Sequence, residues 1–307
     1  MTAAEPDRVA DPAMRPHRGY LFGCLVVILA GFVLSLGAFT IRLAPDVGPW
    51  QYTMWRALGF IGAMCVIASL RDHRTPLAQL AELRPIAWIG AFMLAMASTT
   101  FIAAIKITTL AETFFLCSLA PLISAVLARP LLGERIGVAS LVAIAIGILG
   151  VTVMIEGRLD GGNWVGRLLA VLSAIGFAGY SLAARGSLPR DLNPTLLAFG
   201  LISAVVGFVA SLLIGESQPP PLWEMAMAFV HGLVILSLGL AIYAQGSRFV
   251  GAVTLTVLAQ TEAILAPIWG FMFFAERPSM GVILGGVIIL TAVVLQAFLG
   301  ARTPRVA

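Results

Sequence analysis

Along the chain, apolar residues come in runs of about 20 rather than in alternation with polar ones. Ten such runs can be drawn, over residues 20–41, 49–70, 85–105, 108–128, 135–155, 164–184, 194–214, 222–244, 251–275 and 279–299. Each has about the length that carries an α-helix across ~30 Å of hydrocarbon. Strands of a membrane barrel would instead alternate over ~10 residues. Short polar stretches punctuate the runs: APDVGP at 44–49, RDHRTP at 71–76, EGRLDGGN at 156–163 and ESQPPP at 216–221. None of these connections has room for a second soluble domain. The pattern predicts an all-α integral membrane fold with ten transmembrane helices.

Composition agrees. Hydrophobic residues make up 60% of the 307 and charged residues 11%, whereas a soluble domain carries about 25% charge. A soluble fold has too little polar cover for so much apolar side chain. The net charge of +4 is read as basic residues flanking the spans, not as a nucleic-acid footprint. Cys24, Cys65 and Cys117 all lie inside apolar runs, which argues against a disulfide framework or a metal site. Residues 1–18 read as a disordered tail. The run that follows them is too long for a signal-peptide core, so it is expected to be an uncleaved first span. With that tail on the cytoplasmic side, thirteen basic residues fall inside (Arg8, Arg15, Arg18, Arg71, Arg74, Arg84, Arg129, Arg135, Arg185, Arg190, Arg248, Arg302 and Arg305). Five fall outside (Arg42, Lys106, Arg158, Arg167 and Arg277). This bias predicts that both termini, including a short tail over 300–307, are cytoplasmic.

The two halves of the chain resemble each other. SLAPLISAVLARPLLGERIGVASLVAIAIGILGVTV at 118–153 lies in register with AQTEAILAPIWGFMFFAERPSMGVILGGVIILTAVV at 259–294. Glu134-Arg135 aligns with Glu276-Arg277, and Lys106 with Arg248, at one constant offset (276 − 134 equals 248 − 106). Each half then holds five spans, over 20–155 and 164–299. Because five is odd, the second copy enters the membrane from the opposite side. Inverted repeats of this kind are a signature of secondary transporters. Duplication for packing alone is the plainer alternative.

Ten spans in two halves, LLGER closing span four, FFAER closing span nine and WRALGF in span two resemble EamA-type permeases of the drug/metabolite transporter superfamily. The resemblance covers nearly the whole chain. It implies a ten-helix carrier of amino acids, nucleotide-type metabolites, vitamins, polyamines or drugs. It also implies a central cavity built mainly by spans one, three, four, six, eight and nine. The family often has a Glu-Pro pair in the span before the last loop glutamate. Here the second half has Glu262-Ala263 with the proline delayed to Pro267, and the first half has Ala120-Pro121 without a glutamate.

Glu262 stands near mid-span in LTVLAQTEAILAPIWG, together with Gln260. A charged carboxylate at mid-bilayer costs at least ~2.5–3.5 kcal/mol, so it must face protein or water. It is read as a site for a substrate amine or a proton, or else as a hydrogen-bonded strut held by Gln260 or a serine. Pro121 and Pro267 are expected to kink spans four and nine within one turn of equivalent positions, as hinges or cavity borders. Arg56 in span two and Glu112 early in span four are expected to form an ion pair. A clamp by Arg56 on a substrate carboxylate is the sharper reading. Lys106 is expected to snorkel to the interface. His231 in span eight is a proton-relay or packing residue. Tyr243, Tyr180, Thr100, Ser98 and Thr99 supply neutral hydrogen-bonding groups. Trp269, with Trp55 and Trp88, lines an aromatic cavity or an interface. Glu134 and Glu276 read as helix caps or loop ties rather than as chemistry. The small-residue pairs Gly281/Gly285 and Gly133/Gly137 mark close helix packing, within the chain or between copies.

There is no GxxxxGK[ST] motif for ATP hydrolysis, no HExxH or Cys/His cluster for a metal, and no implied cofactor. The expected function is a secondary transporter that moves a small organic solute, an amino acid or similar metabolite, in the export direction by alternating access. The expected location is a bacterial inner membrane, and the protein acts as a monomer or homodimer. Besides a non-transporting scaffold or sensor, two alternatives stand beside it. One is an exporter of multiple drugs or cationic amphiphiles. The other is a membrane enzyme on lipid-linked substrates, with Glu262 and His231 as acid and base.

Overall fold

The computed structural model describes residues 17–71, 75–133, 137–156, 163–187, 193–216 and 219–300. Among these the secondary structure is entirely helical. The chain runs through α1 (His17–Leu43), α2 (Pro49–Arg71), a short α3 (Pro76–Ala81), α4 (Pro85–Ile107), α5 (Leu110–Cys117), α6 (Ala120–Leu132) and α7 (Val138–Glu156). It continues with α8 (Trp164–Ser187), α9 (Asn193–Ile214), α10 (Leu222–Val230), a π-helical turn (His231–Leu236), α11 (Ser237–Gly246), α12 (Ala252–Ala259), α13 (Thr261–Phe274) and α14 (Met280–Gly300). Among the described residues, nine helical stretches are long and apolar enough to cross a membrane. They fall on nine of the ten expected runs. The tenth run is α7, whose apolar stretch Ser140–Glu156 is shorter. The expected tails and the Glu134 turn lie outside the described residues, except that His17 and Arg18 already belong to α1 and Gly300 to α14.

Local chemistry sets the boundaries. Proline opens α2, α3 and α4, where its missing N–H is no loss. Thr75 and Thr109 cap α3 and α5 by accepting from the Ala78 and Glu112 amides at 3.3 and 3.2 Å. Gly133 ends α6 at φ 72° and Ala275 ends α13 at φ 51°. The two left-handed stops stand at the offset that relates the halves in sequence (275 − 133). An alanine in that conformation is strained by roughly 1–2 kcal/mol.

The same offset governs the interior. Spans four and nine are each broken in two. Their first pieces, α5 and α12, are both eight residues long, and they start and stop at that offset (252 − 110 and 259 − 117). The breaks fall at Ser118-Leu119 and at Gln260. Neither break is a kink at the prolines themselves: Pro121 sits in the first turn of α6, and Pro267 lies inside α13 without ending it.

Packing pairs α4 with α8, α7 with α14 and α2 with α9, while α1 lies against α11, α12 and α13. At the α7–α14 crossing a Cβ on Gly150 would stand 2.8 Å from the Gly285 carbonyl. Only glycine allows that approach, so Gly285 serves contact within the chain. Large apolar side chains such as Leu213 (81% exposed) and Phe271 (63%) point outward, as the surface of a membrane-embedded bundle requires.

Candidate functional site

Helix α1 forms a wall shared by two polar clusters. At its middle, Gly31 lets the break between α12 and α13 approach closely: a Cβ there would meet Thr261 at 2.9 Å and the Glu262 amide at 3.3 Å. The break places Glu262 in the first turn of α13. A carboxylate there is favoured by the positive end of the helix. Glu262 is half-buried and acts electrostatically on Cys117 at the end of α5. Among the described residues it takes no hydrogen bond and no ion pair, and its oxygens are not sealed from a water-sized probe. Gln260 does not hold it, because its Nε2 donates to the Thr256 carbonyl at 3.4 Å. One further turn along α1, Ser35 accepts a hydrogen bond from Trp269 Nε1 at 2.9 Å. Phe32 and Phe273 meet the Trp269 ring at 6.0 and 6.1 Å.

The second cluster lies farther along α1. His231 Nδ1 stands 2.9 Å from Tyr52 Oη and 3.1 Å from Thr40 Oγ1. Tyr52 also donates to Thr40 at 3.1 Å. The imidazole packs over Gly37, where a Cβ would stand 2.7 Å from Nε2. His231 begins the π-helical turn, a local defect often found at functional sites. The turn presses on α2, where Gly232 meets the Arg56 carbonyl and Gly59 meets the Phe229 carbonyl. Any side chain at these glycines would drive the helices apart. Arg56 donates to Ser98 on α4 and acts electrostatically on His231 and Tyr52.

The expected pair of Arg56 with Glu112 is not formed. Glu112 is fully buried, bonded to Arg167 of α8 at 3.1 Å and to the Thr108 hydroxyl. The reason is packing: α5 lies against α8, α13 and α14, whereas α2 lies against α9, α10 and the π-helical turn. Arg56 and Glu112 therefore belong to different neighbourhoods. Lys106 does not snorkel outward either. Its ammonium donates to the Ala44 carbonyl and sits 5.5 Å from the Tyr52 ring centre.

At one end of the bundle, carboxylates tie the two halves of the chain together. Glu276 pairs with Arg42 at 2.7 Å and accepts the Leu110 amide at 2.9 Å, capping α5. Glu224 accepts the Val47 amide at 2.8 Å, and Glu216 accepts the Gln51 amide at 3.0 Å. The Glu112–Arg167 pair lies at the same end. Sequence reading anticipated the tie made by Glu276. It missed Glu216, Glu224, Thr40 and Tyr52, since no local pattern distinguishes a carboxylate that caps a distant helix.

The other expected groups are dispersed. Thr100 spends its hydroxyl on the Met96 carbonyl of its own helix at 2.7 Å. Tyr180 and Tyr243, on α8 and α11, lie near enough to interact electrostatically. Trp88 is 40% exposed on the outer surface. Among the described residues no group of His, Cys, Asp and Glu is arranged to hold a metal ion.

Known proteins place this architecture. A solved crystal structure superposes with a TM-score of 0.65 over 93% of this chain and 99% of its own, at 18% identity, which speaks to the fold. The pseudopaline exporter CntI of Pseudomonas aeruginosa (strain UCBPP-PA14) is 23% identical over 271 residues, 88% of this chain and 94% of that protein. An uncharacterized transporter of Archaeoglobus fulgidus is 25% identical over 198 residues, 64% of this chain and 70% of that protein. The profile of the EamA-like transporter family matches twice, at residues 21–156 and 164–298. The chain is therefore an integral membrane protein that belongs to the EamA-like transporter family, within the drug/metabolite transporter superfamily.

Proposed function

We propose that the protein is a secondary transporter that exports a small organic solute, an amino acid or similar metabolite, by alternating access. Two inverted five-helix repeats, 20–155 and 164–299, form it. It lies in a bacterial inner membrane with both termini cytoplasmic. The observation that carries this reading is Glu262, a mid-span carboxylate without a protein partner among the described residues, set beside a helix break that recurs at the matching place in the first half. Unpartnered charge at that depth is expensive unless a ligand or proton meets it. Broken helices at repeat-equivalent positions border the binding sites of carriers. The exporter CntI among its relatives supports the direction.

The difference between equivalent pieces supports alternating access. Leu110 to Leu116 of α5 are all buried, whereas Thr254 to Ala259 of α12 are all half-buried. The end that holds α5 is also the end tied by carboxylates. With cytoplasmic termini, this is a state closed to the outside. A second reading, export of cationic amphiphiles, draws on Trp269. It lies seven residues beyond Glu262, on the same face of α13, with Phe32 and Phe273 around it.

Flux tests both readings. Purified protein in vesicles is assayed with a panel of labelled amino acids and with a fluorescent organic cation. Glu262→Gln keeps size and hydrogen bonding but cannot ionise. It should abolish flux or flatten its dependence over roughly pH 5.5 to 8.5. Wild-type flux and an unchanged pH profile in the variant would reduce Glu262 to a strut.

A further inference from the structure

We propose that Arg56 is the anion-binding subsite of the transported solute and that it takes a carboxylate. Arg56 is 4% exposed and lies about 10 Å into its span by helical rise. Its charge has no carboxylate partner among the described residues, since Glu112 is taken by Arg167. Ser98 satisfies one Nη2 donor. Nε is buried and unbonded. Nη1 makes no hydrogen bond among the described residues and keeps a little accessible surface. A buried, unpaired cation is strongly destabilising until an anion meets it.

The surroundings select the kind of anion. The groups beside Arg56, namely Ser98, the Tyr52 hydroxyl and His231, are hydrogen-bonding and carry no negative charge that would repel one. A planar carboxylate matches two parallel donors of a guanidinium, which a spherical halide does not. This deepens the transport reading: with Glu262 facing an amine and Arg56 facing a carboxylate, the solute is zwitterionic.

The test is a melting-temperature titration in detergent, with sodium methanesulfonate replaced at constant ionic strength by sodium acetate or sodium chloride, and acetamide as the neutral isostere. Acetate at about 100 mM should raise the wild-type melting temperature saturably, by roughly 2–5 °C. Acetamide and chloride should not. Arg56→Gln should melt no lower than the wild type in methanesulfonate, because it removes an uncompensated charge, and should ignore acetate. Arg56→Lys, which keeps the charge but loses the fork, should show a weaker acetate shift. Equal shifts with chloride would overturn the carboxylate assignment. An acetate shift that persists in Arg56→Gln, or no shift in the wild type, would overturn the site. A marked loss of stability or folding in Arg56→Gln would do the same, because it would mean that the protein already satisfies the charge. Flux plays no part here, so failure leaves the transport reading standing, and absence of flux leaves this binding measurable.

Discussion

Removing Glu276 should open the end of the bundle at which the halves are tied. One carboxylate oxygen pairs with Arg42 at 2.7 Å and the other accepts the Leu110 amide at 2.9 Å. The side chains are 13% and 22% exposed, so the ion pair is discounted for screening to about 1–2 kcal/mol. A hydrogen bond from an amide to a charged oxygen contributes about 1.5–3 kcal/mol. Together they favour the closed end by about 3 kcal/mol, on the order of 100-fold in population. Glu276→Gln retains an acceptor for Leu110 and should lose only about tenfold. Glu276→Ala should lose the whole. Asp46 and Arg277 are exposed at this end and belong to different halves. Spin labels on Asp46→Cys and Arg277→Cys, with the native cysteines replaced by serine, report their separation. A longer-distance population should grow in the order wild type, Glu276→Gln, Glu276→Ala. A lower melting temperature with an unchanged distance distribution would refute the argument, because Glu276 would then hold the fold and not the gate.

Three further expectations follow from named contacts. Gly232→Ala puts a methyl into the Arg56 carbonyl and should cost about 1–3 kcal/mol, read as a lower melting temperature. A double-mutant cycle of Glu112→Gln with Arg167→Met should show coupling of at least about 1 kcal/mol, while Glu112→Gln with Arg56→Gln should be additive within about 0.5 kcal/mol. The cycle fails if the coupling falls to the second pair. Asp46→Cys should react with an impermeant thiol reagent on intact cells and Thr75→Cys should not. The reverse pattern would invert the proposed orientation.

What the sequence disclosed follows from which forces are local. Span lengths are set by the bilayer, so the apolar runs mark nine stretches closely. The register between the halves, read from Glu134-Arg135 with Glu276-Arg277 and from Lys106 with Arg248, anticipates that α5 and α12 share length and break. The breaks fall ahead of the prolines, at Ser118 and Gln260, and Pro121 stands in the first turn of the helix that follows. Pairing of charges was the least legible. Arg56 and Glu112 belong to the same half and read as lying at similar depth, yet α5 turns its carboxylate toward α8, a helix of the other half. Which helix lies beside which is a property of the whole bundle. For the same reason Glu216 and Glu224, far from any basic residue in sequence, end up capping turns 165 and 177 residues away.

On the proposed alternating-access reading, the two unpartnered groups give a reason why a solute would move this protein between states. A ligand shifts a conformational equilibrium only by its difference in affinity for the two states. The tied end holds one state by several carboxylate contacts, so leaving that state requires comparable energy from elsewhere. Glu262 and Arg56 are groups of opposite charge type in separate clusters, and neither is paired with a described protein cation or carboxylate. A zwitterion that meets both relieves two desolvated charges in one event, whereas a simple anion or amine relieves one. An ion that relieves only one charge should therefore bind yet drive less opening. In the spin-label assay above, a transported zwitterion should lengthen the distance between positions 46 and 277 in the wild type, and acetate alone should not. If acetate opens that end as fully as the zwitterion, the two charges do not act together, and Arg56 is a site for binding without a part in the transition.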